Sequence, residues 1–213
     1  MRNTNLLKIL GRATSSNVQK VAWLCEELNI AYERTDIGGP FGGNREAEYL
    51  VLNPNGIVPT IDDDGFVLWE SNTIVRYLAE KHGKGTEFWP EDLQARASAS
   101  RWMDWALSIL APRHVPVFAG LIRTAEADRD YDKIAAARDL WSTANAVLES
   151  WLADHEFLSG DTFSIGDFAV SPFTYRWFTL DIEREDFPNL KRWHETICAR
   201  PAFKKHIIDI GLS

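Results

Sequence analysis

The sequence predicts a mixed α/β segment followed by an all-α segment, on three observations. A strand, a helix and a second strand follow one another within the first 35 residues, an order that implies parallel pairing through a right-handed crossover. A hairpin and a further helix follow by residue 81, giving βαβ–α–ββα. From residue 90 onward no strand pattern occurs and helical spacing takes over. Two domains are therefore expected, residues 1–82 and 90–213, joined by a linker at 83–89.

Taken in order, Leu6–Leu10 is a short apolar strand. Asn17–Leu28 places Val18, Val21, Ala22, Cys25 and Leu28 at helical spacing, and Ala31–Thr35 alternates as a strand. Gly38, Gly39, Gly42 and Gly43 crowd the next loop, but no Gly-Lys-Ser/Thr follows. The loop reads as flexible rather than as a phosphate cradle. A short helix ends near Leu50. Val58–Ile61 and Phe66–Leu68 flank the turn Asp62-Asp-Asp-Gly65, and Ser71–Lys81 is a helix with Ile74, Val75, Leu78 and Ala79 on one face. Helices are then expected over 91–111, 115–124, 132–155, 164–178 and 189–200, with a short one from Pro201. Ser164-Ile-Gly-Asp167 is a capping box flanked by Phe163 and Phe168 as a hydrophobic staple, so this Ser–Asp pair is structural.

Composition narrows the function. A net charge of −8 argues against a nucleic-acid partner. No run of about 18 uncharged apolar residues appears, and Met1-Arg-Asn-Thr4 lacks a signal-peptide core, so no membrane partner is expected. Cys25 and Cys198 form no Cys-x-x-Cys, and the five histidines show no metal-ligand spacing. A reduced, cytoplasmic, metal-free protein is the expectation.

The chemistry concentrates in Asn53-Pro-Asn-Gly-Ile-Val-Pro-Thr-Ile61 and Trp69-Glu-Ser-Asn-Thr-Ile74. A cis Val58–Pro59 bond would turn the N–H and C=O of Val58 outward, where an extended peptide could pair with them. Ser71 and the free amides at the start of its helix form an anion site for a carboxylate. Together they suggest a small, charged peptide ligand. Ser15, Ser16 and Asn17, at the start of the first helix, are all good N-caps; plain capping is the bland reading for each.

With Ser15-Ser-Asn-Val-Gln-Lys-Val21, Asn53–Pro59, Trp69-Glu-Ser71 and Ser164–Asp167 in this order, the first half resembles the thioredoxin fold, and the whole chain resembles a cytosolic glutathione transferase. The lack of Cys-x-x-Cys at the first helix excludes a protein dithiol mechanism, and Cys25 reads as a buried small hydrophobe. The resemblance implies glutathione as cosubstrate and a small-molecule electrophile as second substrate. It places Ser15 as the hydroxyl that favours the thiolate, with Asn17 in support, as in serine-type members similar to the theta, zeta and nu classes. Ser16 and Thr14 stay open as alternatives. It implies that Val58, before a cis Pro59, pairs with the cysteinyl main chain, that Ser71 holds the γ-glutamyl carboxylate and that Glu70 meets the γ-glutamyl ammonium. Asn44 is a candidate for the glycyl end. Ile57 stands where many relatives carry Lys, Arg or Gln, so its side chain cannot hydrogen-bond that end.

The second substrate is expected between the halves, against the first long helix of the second part, with Arg101, Trp102, Trp105 and Ser108 as candidate lining. Arg101 and Trp105 share a helix face. An aromatic stripe there is also what a core or a subunit interface would need. A homodimer is implied. A glutathione-dependent isomerase of zeta kind fits less well, since its Ser-Ser-Cys and Gln-Val-Pro appear here as Ser15-Ser-Asn17 and Ile57-Val-Pro59. A peroxidase of the same fold and a non-catalytic binding protein are the remaining alternatives.

Overall fold

The structure is a computed structural model that describes residues 6–212. The described chain divides into two compact units, residues 6–89 with 201–210, and residues 90–200 with 211–212.

The first unit carries β1 (Leu7–Leu10), α1 (Ser16–Glu27), β2 (Tyr32–Thr35), α2 (Ala47–Leu52), β3 (Thr60–Asp63), β4 (Phe66–Trp69) and α3 (Ser71–Gly83). Its four strands lie in the order β2-β1-β3-β4, with β1 parallel to β2 and antiparallel to β3. This is the thioredoxin-like sheet that the strand–helix–strand order predicts. The β3–β4 hairpin turns at Asp64 and Gly65, both at positive φ, with the Gly65 N–H donating to Asp62 Oδ1 at 2.7 Å. Two such residues suit the tight turn that matches strand twist. Cys25 is fully buried in α1, and burial pushes its thiol up to about 12.

β3 starts at Thr60, two residues later than the sequence predicts. Val58 and Pro59 stand before the strand because the segment 53–57 is held by side chains instead. Buried Asn53 donates to the Ile57 carbonyl at 2.9 Å and to Thr60 Oγ1 at 3.1 Å. Tyr49 Oη reaches the same carbonyl at 2.6 Å and Thr60 Oγ1 at 2.8 Å.

Residues 201–210, grouped with the helical half on periodicity alone, pack instead with the first unit. Phe203 of α9 (Pro201–Phe203) meets Trp23 edge-on at 4.9 Å, and Lys205 reaches Glu26 of α1 at 2.7 Å.

The second unit is helical: α4 (Leu93–Trp105), α5 (Ala111–Phe118), α6 (Tyr131–Leu152), α7 (Ile165–Thr179) and α8 (Pro188–Cys198). The expected break between 111 and 115 is absent. α4 and α5 run on through a wider π turn at Ala106–Leu110, where the Ala111 N–H bonds the Ala106 carbonyl. Pro112 has no N–H to give, and widening the preceding turn absorbs that loss without ending the helix. The core is aromatic, with Trp141, Trp177 and Trp193 fully buried.

The capping box of α7 is formed: the Ser164 N–H reaches Asp167 Oδ2 at 2.8 Å. Phe163 and Phe168 pack at 5.1 Å as the staple. Asp167 goes further than capping, since its Oδ1 also accepts from the Leu158 N–H and from Trp193 Nε1. Helix start, preceding loop and α8 thus share one carboxylate.

Candidate active site

Ser15 is the N-cap of α1, with extended backbone (φ −77, ψ 119), and its side chain makes no capping bond. It is 8% exposed. The capping explanation therefore does not account for its hydroxyl, which makes no hydrogen bond among the described residues. Gly11, at the end of β1, brings the turn against both neighbours. A Cβ there would sit 2.5 Å from Val18 and 3.1 Å from Val58, so this close approach needs glycine.

The Val58–Pro59 bond is cis, as expected. Neither the N–H nor the C=O of Val58 has a protein partner among the described residues, which leaves a donor and an acceptor for an extended ligand. The Ile57 carbonyl is taken up by Tyr49 and Asn53, while its side chain is half exposed and apolar.

Glu70 sits at φ +72, ψ 107, a left-handed conformation for a bulky residue at the entry to α3. Such a conformation costs on the order of 1–3 kcal/mol and persists where the surroundings over-determine it. It makes no capping bond. The first intrahelical bond of α3 is Ile74 N–H to the Glu70 carbonyl, so the amides of Ser71 and Thr73 remain for an anion.

Ser71 is buried and its hydroxyl donates to Asn17 Oδ1 at 3.2 Å. Beneath it lies Lys20, 3% exposed, whose ammonium donates to Ser71 Oγ and to Asn72 Oδ1, both at 3.4 Å. A cation, a hydroxyl and a helix N-terminus thus converge at Ser71. Asn17 belongs to this end of the site through its carbonyl oxygen, with its amide nitrogen still available. Asn44 is partly committed: its Nδ2 donates to the Gly56 carbonyl at 2.7 Å. Gly56, at φ +60, leaves no room for a Cβ, which would meet the Asn44 carbonyl at 2.8 Å.

Two residues escape a reading of the sequence. Lys20 looks like any polar position of an amphipathic helix, and only α3 packed on α1 buries it. Arg12 lies under the glycine loop; a Cβ on Gly39 would be 3.0 Å from its Nε and one on Gly38 3.2 Å from its Nη1. The glycines are there to let the loop settle on a guanidinium. The only advance sign of Arg12 was a cation immediately after β1.

In the second unit, Arg101, Trp102 and Trp105 come together with Val147 and Trp151 around a shallow pocket of about 360 Å³. Ser108 is not part of it: its hydroxyl bonds back to the Asp104 carbonyl at 2.9 Å in the widened turn. Among the described residues no group of three or more His, Cys, Asp or Glu side chains could hold a metal ion.

Residues 14–81 match the family model described as "Glutathione S-transferase, N-terminal domain", and residues 102–201 match "Glutathione S-transferase, C-terminal domain". The chain is 40% identical to "Glutathione S-transferase GstB" of Escherichia coli K12 over 205 residues, 95% of this chain and 98% of the other. Among solved structures it is similar to a theta class glutathione S-transferase of Xanthomonas axonopodis pv. citri with glutathione bound, with TM-score 0.91 and 42% identity. That match covers 95% of this chain and 97% of the other. A glutathione transferase of Phanerochaete chrysosporium in complex with oxidized glutathione matches at TM-score 0.86 and 25% identity over 98% of both chains.

Proposed function

The chain belongs to the glutathione S-transferase family, and from that premise we propose how its own residues hold glutathione and activate the thiol. The protein is an enzyme that takes reduced glutathione as cosubstrate and turns its thiol on an electrophilic small molecule. A free thiol has a pKa of about 8.5, so only a few per cent is thiolate at neutral pH. The catalyst must lower that value.

Ser15 does so as hydroxyl donor to the sulfur at the positive end of α1. The observation that carries this assignment is the uncommitted hydroxyl of Ser15 at a helix start it does not cap. The γ-glutamyl carboxylate binds at Ser71, where the α3 amides and the Lys20 ammonium add positive charge. The exposed Glu70 carboxylate faces the ammonium of the same γ-glutamyl group, a charge-assisted contact. The cysteinyl main chain pairs with Val58. Arg12, beside Asn44 at the glycine loop, supplies the charge that Ile57 cannot offer the glycyl end.

Residues 1–82 form the glutathione-binding domain, 83–89 the linker, and the helical domain supplies the second-substrate pocket at Arg101, Trp102 and Trp105. The protein acts in the cytoplasm, as a homodimer, in the detoxification of electrophiles.

Calorimetric titration with reduced glutathione tests the site. Saturable binding is expected, weakened about tenfold in Ser71→Ala by loss of one hydrogen bond to a charged group. Absence of binding at millimolar glutathione would overturn the assignment.

A further inference from the structure

The pocket bounded by Arg101, Trp102, Trp105, Val147 and Trp151 has an unusual chemical bias. Arg101 lies over the Trp151 ring at 4.6 Å and over the Trp102 ring at 5.7 Å. Trp102 meets Trp105 and Trp151 edge-on, at 5.3 and 5.6 Å. The Arg101 guanidinium makes no hydrogen bond or ion pair among the described residues. Other arginines of this unit do: Arg96, Arg129 and Arg192 each donate to main-chain carbonyls. Trp102 is 6% exposed, and its indole N–H is buried without a partner. The Trp151 N–H is already satisfied by the Phe157 carbonyl.

The lining thus offers five guanidinium donors, π faces and no side-chain acceptor. A guanidinium held over indole rings is pre-organised for a planar, two-oxygen anion. A neutral ligand could use the indole faces but would leave the guanidinium's charge uncompensated.

We propose that this pocket binds planar aromatic acids, an arene carrying a carboxylate. The arene stacks on the indoles and the anion is held by Arg101. As a statement of the electrophile's class, this rests on the assignment of the pocket to the second substrate; as a statement of binding, it does not.

Indole fluorescence reports on the pocket directly. Titration of the full-length protein with 2-naphthoate and, separately, with 2-naphthamide compares the same arene with and without charge. The carboxylate is expected to bind at least about tenfold more tightly, as charge-assisted hydrogen bonds require. In Arg101→Gln that preference should vanish while the amide's affinity is kept. Arg101 is exposed, so the variant tests recognition rather than folding. Equal affinities in the native protein, or a preference that survives Arg101→Gln, would overturn the proposal. Calorimetry with glutathione on the same samples separates the two sites. Naphthoate binding without glutathione binding would sink the transferase-site assignment and leave this pocket standing; the reverse would remove the pocket alone.

Discussion

Ser15 and Glu70 each carry one feature that the fold does not explain, an unused hydroxyl in the first and a left-handed backbone in the second. Ser15 stands at a helix start with its hydroxyl unused as a cap. In Ser15→Ala, kcat with any competent electrophile should fall on the order of 10²-fold, the usual cost of one donor to a developing or stabilised anion. The KM for glutathione should change little, because the peptide's ends are held elsewhere. Stopped-flow measurement of both parameters decides it; a parallel loss in both would remove Ser15 from the chemistry. Glu70 presents the converse case, a cost in the backbone at φ +72. Glycine adopts that conformation freely. Glu70→Gly should therefore raise stability by about 1 kcal/mol in denaturant titration, and Glu70→Ala should not. Both should weaken glutathione binding. A destabilised Glu70→Gly would show that the conformation is not strained.

Elements explain which parts of the site could be read in advance. The loop before β3 and the start of α3 announce themselves because proline, asparagine, glycine and serine there have local backbone reasons to be present. Lys20 has none. Its burial arises from packing between α1 and α3, a tertiary fact that helical spacing does not encode. The attachment of residues 201–210 to the first unit is hidden for the same reason, since Trp23 against Phe203 is a contact across 180 positions of chain. The α7 start lies at the other extreme: its four-residue box was legible, but the reach of Asp167 to Leu158 and Trp193 was not. That reach has a pH signature. Burial pushes the Asp167 carboxyl from 3.8 up to about 6, against hydrogen bonds that pull it down. The folded state therefore holds a proton that the unfolded state has already released. Stability from this site should be greatest below about pH 4 and fall as pH rises to about 6. Asp167→Asn, which keeps shape but cannot titrate, should flatten thermal-unfolding midpoints across that window. An unchanged slope would assign the pH dependence to other groups.

At the scale of the whole molecule, the helical run 93–123 raises the question of what covers it. By length and composition alone it could cross a membrane, and only 28% of its most apolar stretch is buried. Leu93, Leu107 and Val115 are 69, 58 and 51% exposed. Yet Arg101, Asp104, Arg113 and Arg123 interrupt the same run, and charges at those depths are costly in a bilayer. A protein surface tolerates such an alternation far better, with apolar side chains at its centre and charges at its rim. A second copy of the chain, carrying the same face, is the partner that needs no further component. The protein at micromolar concentration should therefore elute as a dimer in size exclusion with light scattering. Leu107→Glu combined with Val115→Glu should shift it toward the monomer, because a buried unpaired charge costs more than the apolar contact it replaces. A native monomer, or cosedimentation with phosphatidylcholine vesicles, would mean that something other than a second copy covers the run.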